Sequence, residues 1–295
     1  MKQHFLFFSI LAMAVIYGSF LAIDFTTGFS ASKYSAIVRY LCILTCLLLV
    51  ISARKDANSP RDYRFMLAAF IFTACADFMM SMICKFSIFN FGFCMDLEPY
   101  RFASGVGLFL VVQIIYFIRH KQNFKWSLKE IITGVAVFAI MIDRVIEDVG
   151  HMGSKGGSVS IVILVFLLVY AFVLCLGTWM AIGTLWRNYF PKTTAWFIAV
   201  GMVLFFLCDN SLGRFEAFKE SAPLSEKDSF IVFENTFRYT YSKVEGDTIM
   251  VFAKGKDMKS MTIPHTLKTI CGFLVWLFYL PSQILLMLSA FNLSF

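Results

Sequence analysis

Eight apolar runs are spaced along the chain, and most of them are about as long as a membrane span. A helix needs about 20 apolar residues to cross the hydrocarbon core of a bilayer. The runs occupy residues 5–23, 36–52, 63–83, 102–118, 131–142, 160–182, 194–212 and 267–290. Because a helix satisfies its backbone polar groups internally, these runs predict an all-α bundle of about eight transmembrane helices.

The composition also indicates a polytopic membrane protein. Hydrophobic residues make up 59% of the chain and charged residues 15%, and the mean hydropathy is +0.75. Such a chain has too little polar surface to cover a soluble domain. The net charge of +7 is attributed to an excess of basic residues in the loops between spans, where they set the orientation of the chain. This interpretation argues against nucleic acid as a partner.

The basic residues gather in every second loop. They follow the second, fourth and sixth runs, and the groups are Arg54, Lys55, Arg61, Arg64, Arg119, Lys121, Lys125, Lys129, Arg187 and Lys192. Loops rich in Lys and Arg stay on the cytoplasmic side of a membrane. The sequence therefore predicts a multi-pass protein with both termini in the cytoplasm. Its membrane would be the bacterial inner membrane or, in a eukaryote, the endoplasmic reticulum.

One extramembrane insertion is predicted between the last two spans. The expected parts are residues 1–214 with helices one to seven, 215–266 as the insertion, and 267–295 with helix eight and the C-terminus. Within the insertion, residues 229–242 and 248–253 are rich in aromatic and β-branched side chains and flank the turn signal Glu245-Gly246-Asp247. This pattern predicts a β-hairpin.

Side chains that bind metals do not cluster in the sequence. The four histidines are scattered, and none lies in the middle of a span. We therefore expect no metal site and no cofactor. Cys84 and Cys94 flank one loop and could form a disulfide if that loop faces an oxidising compartment.

Two apolar runs carry an aspartate, Asp77 in the third and Asp209 in the seventh. An ionisable side chain inside a membrane is costly, so it is a functional hypothesis by default. At 1.5 Å per residue, Asp77 lies about 9 Å and Asp209 about 5 Å from the same side of the membrane, and Arg39 lies about 5 Å from it. The pattern favours a shared acid-base site with a cation beside it. The alternative is that both acids only tie helices together.

The residues around these acids resemble the YhhN-like lysoplasmalogenase family of multi-span membrane proteins. In the third run the resemblance is carried by Ala74-Cys75-Ala76-Asp77-Phe78-Met79-Met80. In the other runs it is carried by Phe102, Gly105, Phe109, Leu110, Gln113, Tyr116, Gly201, Phe205, Cys208, Asp209, Tyr279 and Gln283. The chain departs from the family pattern at Ala76, Gln113 and Arg39-Tyr40, and the insertion is foreign to it.

The resemblance implies hydrolysis of the vinyl ether bond of a lysoplasmalogen. The products are a fatty aldehyde and a glycerophospho-ethanolamine or glycerophosphocholine. Asp77 and Asp209 would be the catalytic pair, and the residues expected to bind substrate or balance charge are Arg39, Gln113, Tyr116, Tyr279 and Gln283. Two carboxyl groups suit this reaction because it needs an acid, an anion and a water.

Two other classes of function stay open at this point. Acids within a membrane also relay protons or bind cations in transporters, although the chain shows no internal repeat of the kind many transporters have. A lipid-binding protein without catalytic activity is the third possibility. The expected partners are a lysophospholipid substrate and membrane lipids, and the oligomeric state does not follow from the sequence.

Overall fold

A computed structural model describes residues 2–26, 33–82, 98–153, 161–219, 239–245, 248–253 and 263–292. Each of the predicted apolar runs overlaps one α-helix of this described part. The helices are α1 (Lys2–Thr26), α2 (Lys33–Ser52), α3 (Pro60–Asp77), α4 (Glu98–His120), α5 (Leu128–Gly153), α6 (Ile161–Arg187), α7 (Lys192–Lys219) and α8 (His265–Leu288). A 3₁₀ turn, Ala53–Lys55, follows α2, and a π-helix, Phe78–Met82, follows α3.

Five helical segments in the described residues are long and apolar enough to cross a membrane. They are Ile37–Lys55, Pro60–Met80, Ala103–His120, Val165–Arg187 and Lys192–Leu212. Two shorter apolar segments, Phe7–Ala22 and Phe273–Leu288, belong to α1 and α8. The prediction of a helical membrane protein is therefore confirmed. The number of eight spans and the orientation of the termini stay predictions.

Two element boundaries differ from those predicted. The fifth run was expected to end at residue 142, before an acidic cluster, but α5 continues to Gly153. Asp143, Glu147 and Asp148 therefore lie within the helix, because apolar residues continue among them at helical spacing. Helix α7 continues to Lys219, beyond the boundary expected at residue 214.

Local sequence signals explain where several helices begin and end. Ser59 caps α3, since its hydroxyl accepts a hydrogen bond from the Asp62 N–H at 3.1 Å, and Pro60 occupies the first helical position. Helix α6 ends at Arg187, and the next residue, Asn188, has the left-handed φ of 54° that is common after a helix. The short connection 188–191 makes α6 and α7 antiparallel neighbours.

An antiparallel sheet lies between α7 and α8. Strand β1 (Tyr239–Glu245) pairs with β2 (Thr248–Ala253), which also pairs with the short β3 (Ile263–Pro264). The first strand was expected to begin at residue 229, and residues 229–238 lie outside the described part of the chain. Cys84 and Cys94, the candidates for a disulfide, lie outside it too. The position of the sheet outside the membrane stays a prediction.

Two buried ion pairs close the end of the bundle where α3 begins and α4 ends. Arg119 of α4 pairs with Asp62 of α3 through two hydrogen bonds of 2.6 and 3.1 Å. Arg187 of α6 pairs with Glu130 of α5 through two of 2.5 and 2.7 Å. The Arg187 guanidinium also donates to the backbone carbonyl of His120, which joins the two pairs. We call these four charged residues the ion-pair layer.

The ion-pair layer adds a structural role for two basic residues. Arg119 and Arg187 were counted among the basic loop residues from which the orientation of the chain was predicted. Their side chains are only 1% and 3% exposed, and each meets an acid. A buried arginine needs a partner because an uncompensated charge is costly. The two arginines therefore join neighbouring helices through these ion pairs.

Candidate active site

Each of the two span aspartates accepts a hydrogen bond from a tyrosine on a neighbouring helix. The Tyr279 hydroxyl of α8 donates to Asp77 Oδ2 at 2.5 Å, and the Tyr170 hydroxyl of α6 donates to Asp209 Oδ2 at 2.6 Å. These distances are typical of charge-assisted bonds between a hydroxyl and a carboxylate. We call these four residues the acid layer. Both aspartate residues are partly exposed.

The backbone changes its winding directly after Asp77. Helix α3 ends at Asp77, and the chain continues as the π-helix Phe78–Met82. Such π-turns are rare and occur frequently at functional sites, where they change the direction of a side chain. Gly105 of α4 lies against this turn, since a methyl group on it would meet the Met80 side chain at 2.2 Å. The glycine therefore allows α4 to approach α3 closely beside Asp77.

Two side chains of the bundle lie near both aspartates. They are Tyr279 of α8 and Cys208 of α7. An aromatic cluster adjoins this region, with ring centroids 5.9 to 6.4 Å apart among Phe109, Phe205 and Tyr279. The cluster provides an apolar wall beside the acids, of the kind that ligand sites for lipids require.

The guanidinium of Arg39 contacts an aromatic ring. It lies over the Trp276 ring, 3.9 Å from the centroid, in a cation–π contact. Asp77 and Asp209 accept hydrogen bonds from tyrosines. Arg39 still belongs to the surroundings of the site, because the Tyr17 hydroxyl interacts electrostatically with both Arg39 and Asp77. Tyr17 donates to the Trp276 carbonyl at 2.7 Å.

The remaining expected residues are buried in the same bundle interior. Gln113, Tyr116 and Gln283 are fully buried. Their side-chain polar atoms have no hydrogen-bond partner in the described part of the chain. Tyr116 stacks on His120 with ring centroids 5.6 Å apart, so it lies towards the ion-pair layer and away from the acids. The structure thus brings Tyr279 to Asp77 directly and places Tyr116 further inside.

Tyr170 is the site residue that the sequence analysis missed. It lies in the sixth apolar run, where nothing in its spacing relates it to Asp209, 39 residues later. One signal was present: a tyrosine within an apolar run needs a partner for its hydroxyl when it is buried. That rule predicts a partner for Tyr170 without saying which one.

A comparison with known protein families agrees with the residues around the two acids. A model of the YhhN family matches residues 7–231. The chain belongs to the YhhN family. The YhhN match covers Asp77 and Asp209 but stops before Tyr279 and Gln283. Neither a curated protein nor a solved structure matches the chain.

Proposed function

We propose that this YhhN protein hydrolyses the vinyl ether bond of lysoplasmalogens. The observation that carries the proposal is the acid layer, in which two carboxyl groups on apolar helices each accept a hydrogen bond from a tyrosine hydroxyl. The resemblance of the surrounding residues to the lysoplasmalogenase family supports it.

The proposed reaction uses one carboxyl group as an acid and the other as a base. A proton from the first adds to the β-carbon of the vinyl ether, and the electrons of the C=C bond form the new C–H bond. The α-carbon becomes an oxocarbenium ion. Water adds to that carbon while the second carboxylate takes a proton from it, which gives a hemiacetal. The second carboxyl group then gives this proton to the ether oxygen, while the first carboxylate takes the proton of the hemiacetal hydroxyl. The C–O bond breaks, a fatty aldehyde and a glycerol hydroxyl are released, and both carboxyl groups return to their starting states.

The other candidate residues have supporting roles in this proposal. Tyr279 and Tyr170 orient the two carboxyl groups through their hydrogen bonds. Arg39, held against Trp276, is the cation near the site and suits the phosphate of the lysophospholipid. Gln113, Tyr116 and Gln283 supply neutral polar groups in the interior. The aromatic cluster of Phe109, Phe205 and Tyr279 would pack against the hydrocarbon chain.

The decisive experiment measures fatty aldehyde release from a lysoplasmalogen by the purified protein in detergent. The matched control substrate has the same headgroup and chain with a saturated alkyl ether. It cannot be protonated at a vinyl carbon, so we expect no cleavage of it. An absence of aldehyde from the vinyl ether by folded protein would contradict the proposal. It would leave transport or lipid binding as the function of the acids.

Removal of either phenol hydroxyl is expected to lower turnover while substrate binding changes little. Tyr279→Phe and Tyr170→Phe each remove a hydrogen bond to a carboxyl group and keep the ring. A hydrogen bond to a charged group contributes enough to predict a roughly ten- to hundredfold fall in kcat. Steady-state kinetics would measure kcat and KM separately. Tyr189→Phe is the control, because Tyr189 is exposed and packs on Phe190. A fall in kcat no larger than that of the control would show that the phenols do not position the acids.

The proposed orientation places the turn between β1 and β2 outside the cytoplasm. A cysteine at Asp247 should therefore react with a membrane-impermeant thiol reagent in intact cells. A cysteine at Lys125, exposed in the loop between α4 and α5, should react only after the cells are opened. The reverse pattern of labelling would invert the orientation.

A further inference from the structure

A second polar layer lies inside the bundle, next to the acid layer. Within the described residues, Thr73 Oγ1 and both amide atoms of Gln113 and of Gln283 have no hydrogen-bond partner. All three side chains are 0% exposed. Nearly all buried polar atoms in proteins have a partner, and the hydrocarbon core of a bilayer has no water to offer them. A small molecule held within the protein would supply the missing hydrogen bonds.

The register of three helices brings these side chains to one level. Each lies four residues further towards the ion-pair layer than a residue at the level of the acids: Thr73 from Asp77, Gln113 from Phe109 and Gln283 from Tyr279. The three reference residues are in contact, since Tyr279 bonds Asp77 and packs on Phe109. Four residues are about one helical turn, or about 6 Å along the axis, and keep the side chains on the same face. We call Thr73, Gln113 and Gln283 the amide layer.

The amide layer reaches the second acid as well as the first. The Gln113 amide approaches the Tyr170 hydroxyl, which donates to Asp209, although it makes no hydrogen bond of normal geometry there. On its other side, Gln113 packs against Gly177. A methyl group on this glycine would lie 3.3 Å from Gln113 Oε1 and 3.4 Å from the terminal carbon of Met202. Met202 and the Gln113 amide oxygen therefore lie close to each other on the same side of Gly177.

The chemistry of the amide layer selects the ligand. Two amides and a hydroxyl carry both donors and acceptors and have no charge. An ion or a phosphate headgroup would lack a counter-charge among them. A water molecule both donates and accepts, and buried water in proteins typically makes about three such bonds.

We infer that the amide layer is a buried water site, in which water bridges Gln113, Gln283 and Thr73 one helical turn from the two carboxyl groups. The inference concerns the water and stands whether or not the acids hydrolyse a lipid. If they do, which rests on the proposed function, this water is the nearest source of the molecule that the reaction consumes.

X-ray radiolytic labelling of the full chain in detergent tests the inference without substrate. Radiolysis turns bound water into hydroxyl radicals, which oxidise adjacent methionines. Met202 is 0% exposed, so only internal water can label it. We expect oxidation of Met202 in the parent protein and a several-fold loss of it in the Gln113→Leu/Gln283→Leu variant. Thr184→Val is the matched control, because the buried Thr184 hydroxyl already donates to the Ala181 carbonyl at 2.6 Å. It should leave the labelling unchanged.

Thermal stability gives a second measurement that depends on a single conservative change. If Thr73 Oγ1 had neither a bound water nor a protein partner, Thr73→Val would remove a destabilising buried hydroxyl and raise Tm. If the hydroxyl binds water, the same change removes a hydrogen bond, and Tm should fall or stay constant. Two results would overturn the inference: no oxidation of Met202 in the parent protein, or a higher Tm for Thr73→Val. Neither result depends on turnover. The inference can therefore fail while the proposed hydrolysis stands, and the proposed hydrolysis can fail while the inference stands.

Discussion

Replacing Asp77 or Asp209 by asparagine is expected to lower the turnover of a lysoplasmalogen by about 10² to 10⁴, the range for loss of general acid-base catalysis. Asparagine keeps the size of the side chain and can still accept the hydrogen bond from Tyr279 or Tyr170. It cannot donate or take a proton during the reaction. The substitution therefore separates a catalytic role from a structural one. Aldehyde release by the purified variants measures it.

The double substitution gives a sharper form of the same prediction. If the two carboxyl groups act as one unit, the double variant should lose little more activity than the worse single variant. Asp143→Asn is the control, since Asp143 is an exposed acid on α5 outside the site. Near-parent turnover in both single variants, with the fold intact, would mean that the acids only tie helices together.

Breaking the buried pair of Arg119 and Asp62 is expected to destabilise the bundle by roughly 3–5 kcal/mol, the typical cost of leaving a buried charge without its partner. Arg119→Met removes both hydrogen bonds to Asp62 and two more to the Ser289 hydroxyl and carbonyl, at 2.8 and 3.0 Å. The contact that Arg119 makes between α3, α4 and the residue after α8 is lost. Unfolding by a denaturing detergent, followed by circular dichroism, would measure the loss.

A partner substitution tests the physical reason for this loss. Arg119→Met combined with Asp62→Leu leaves neither residue of the pair as an unpaired buried charge, so much of the stability should return. Arg54→Met is the control, because Arg54 is exposed after α2 at the same end of the bundle. A single Arg119→Met variant as stable as the control would show that the pair contributes nothing to the fold.

Much of the fold could be predicted because apolar length alone decides which segments are helices in a membrane. The runs predicted eight helices in the correct order, and the third and seventh runs carried the acids that the structure places on α3 and α7. The predicted end of α5 was wrong because an apolar run stops at the first charged residue, whereas a helix continues as long as apolar residues recur at helical spacing. The sequence predicted the depth of Arg39 in the membrane, but its contact with the Trp276 ring could not be predicted, because depth does not determine the angle around the helix axis.

The sequence by itself determined that this is a helical membrane protein of the YhhN family with two aspartates inside its spans, because composition and the length of apolar runs depend only on local order. Only the tertiary structure decided which side chains meet. Tyr279 reaches Asp77 across 202 residues, and Arg119 reaches Asp62 across 57. Such contacts depend on how whole helices pack and rotate against each other. The spacing of residues within one run does not determine the packing or the rotation. For the same reason, Arg119 and Arg187 looked like loop charges in the sequence and are buried ion pairs in the fold.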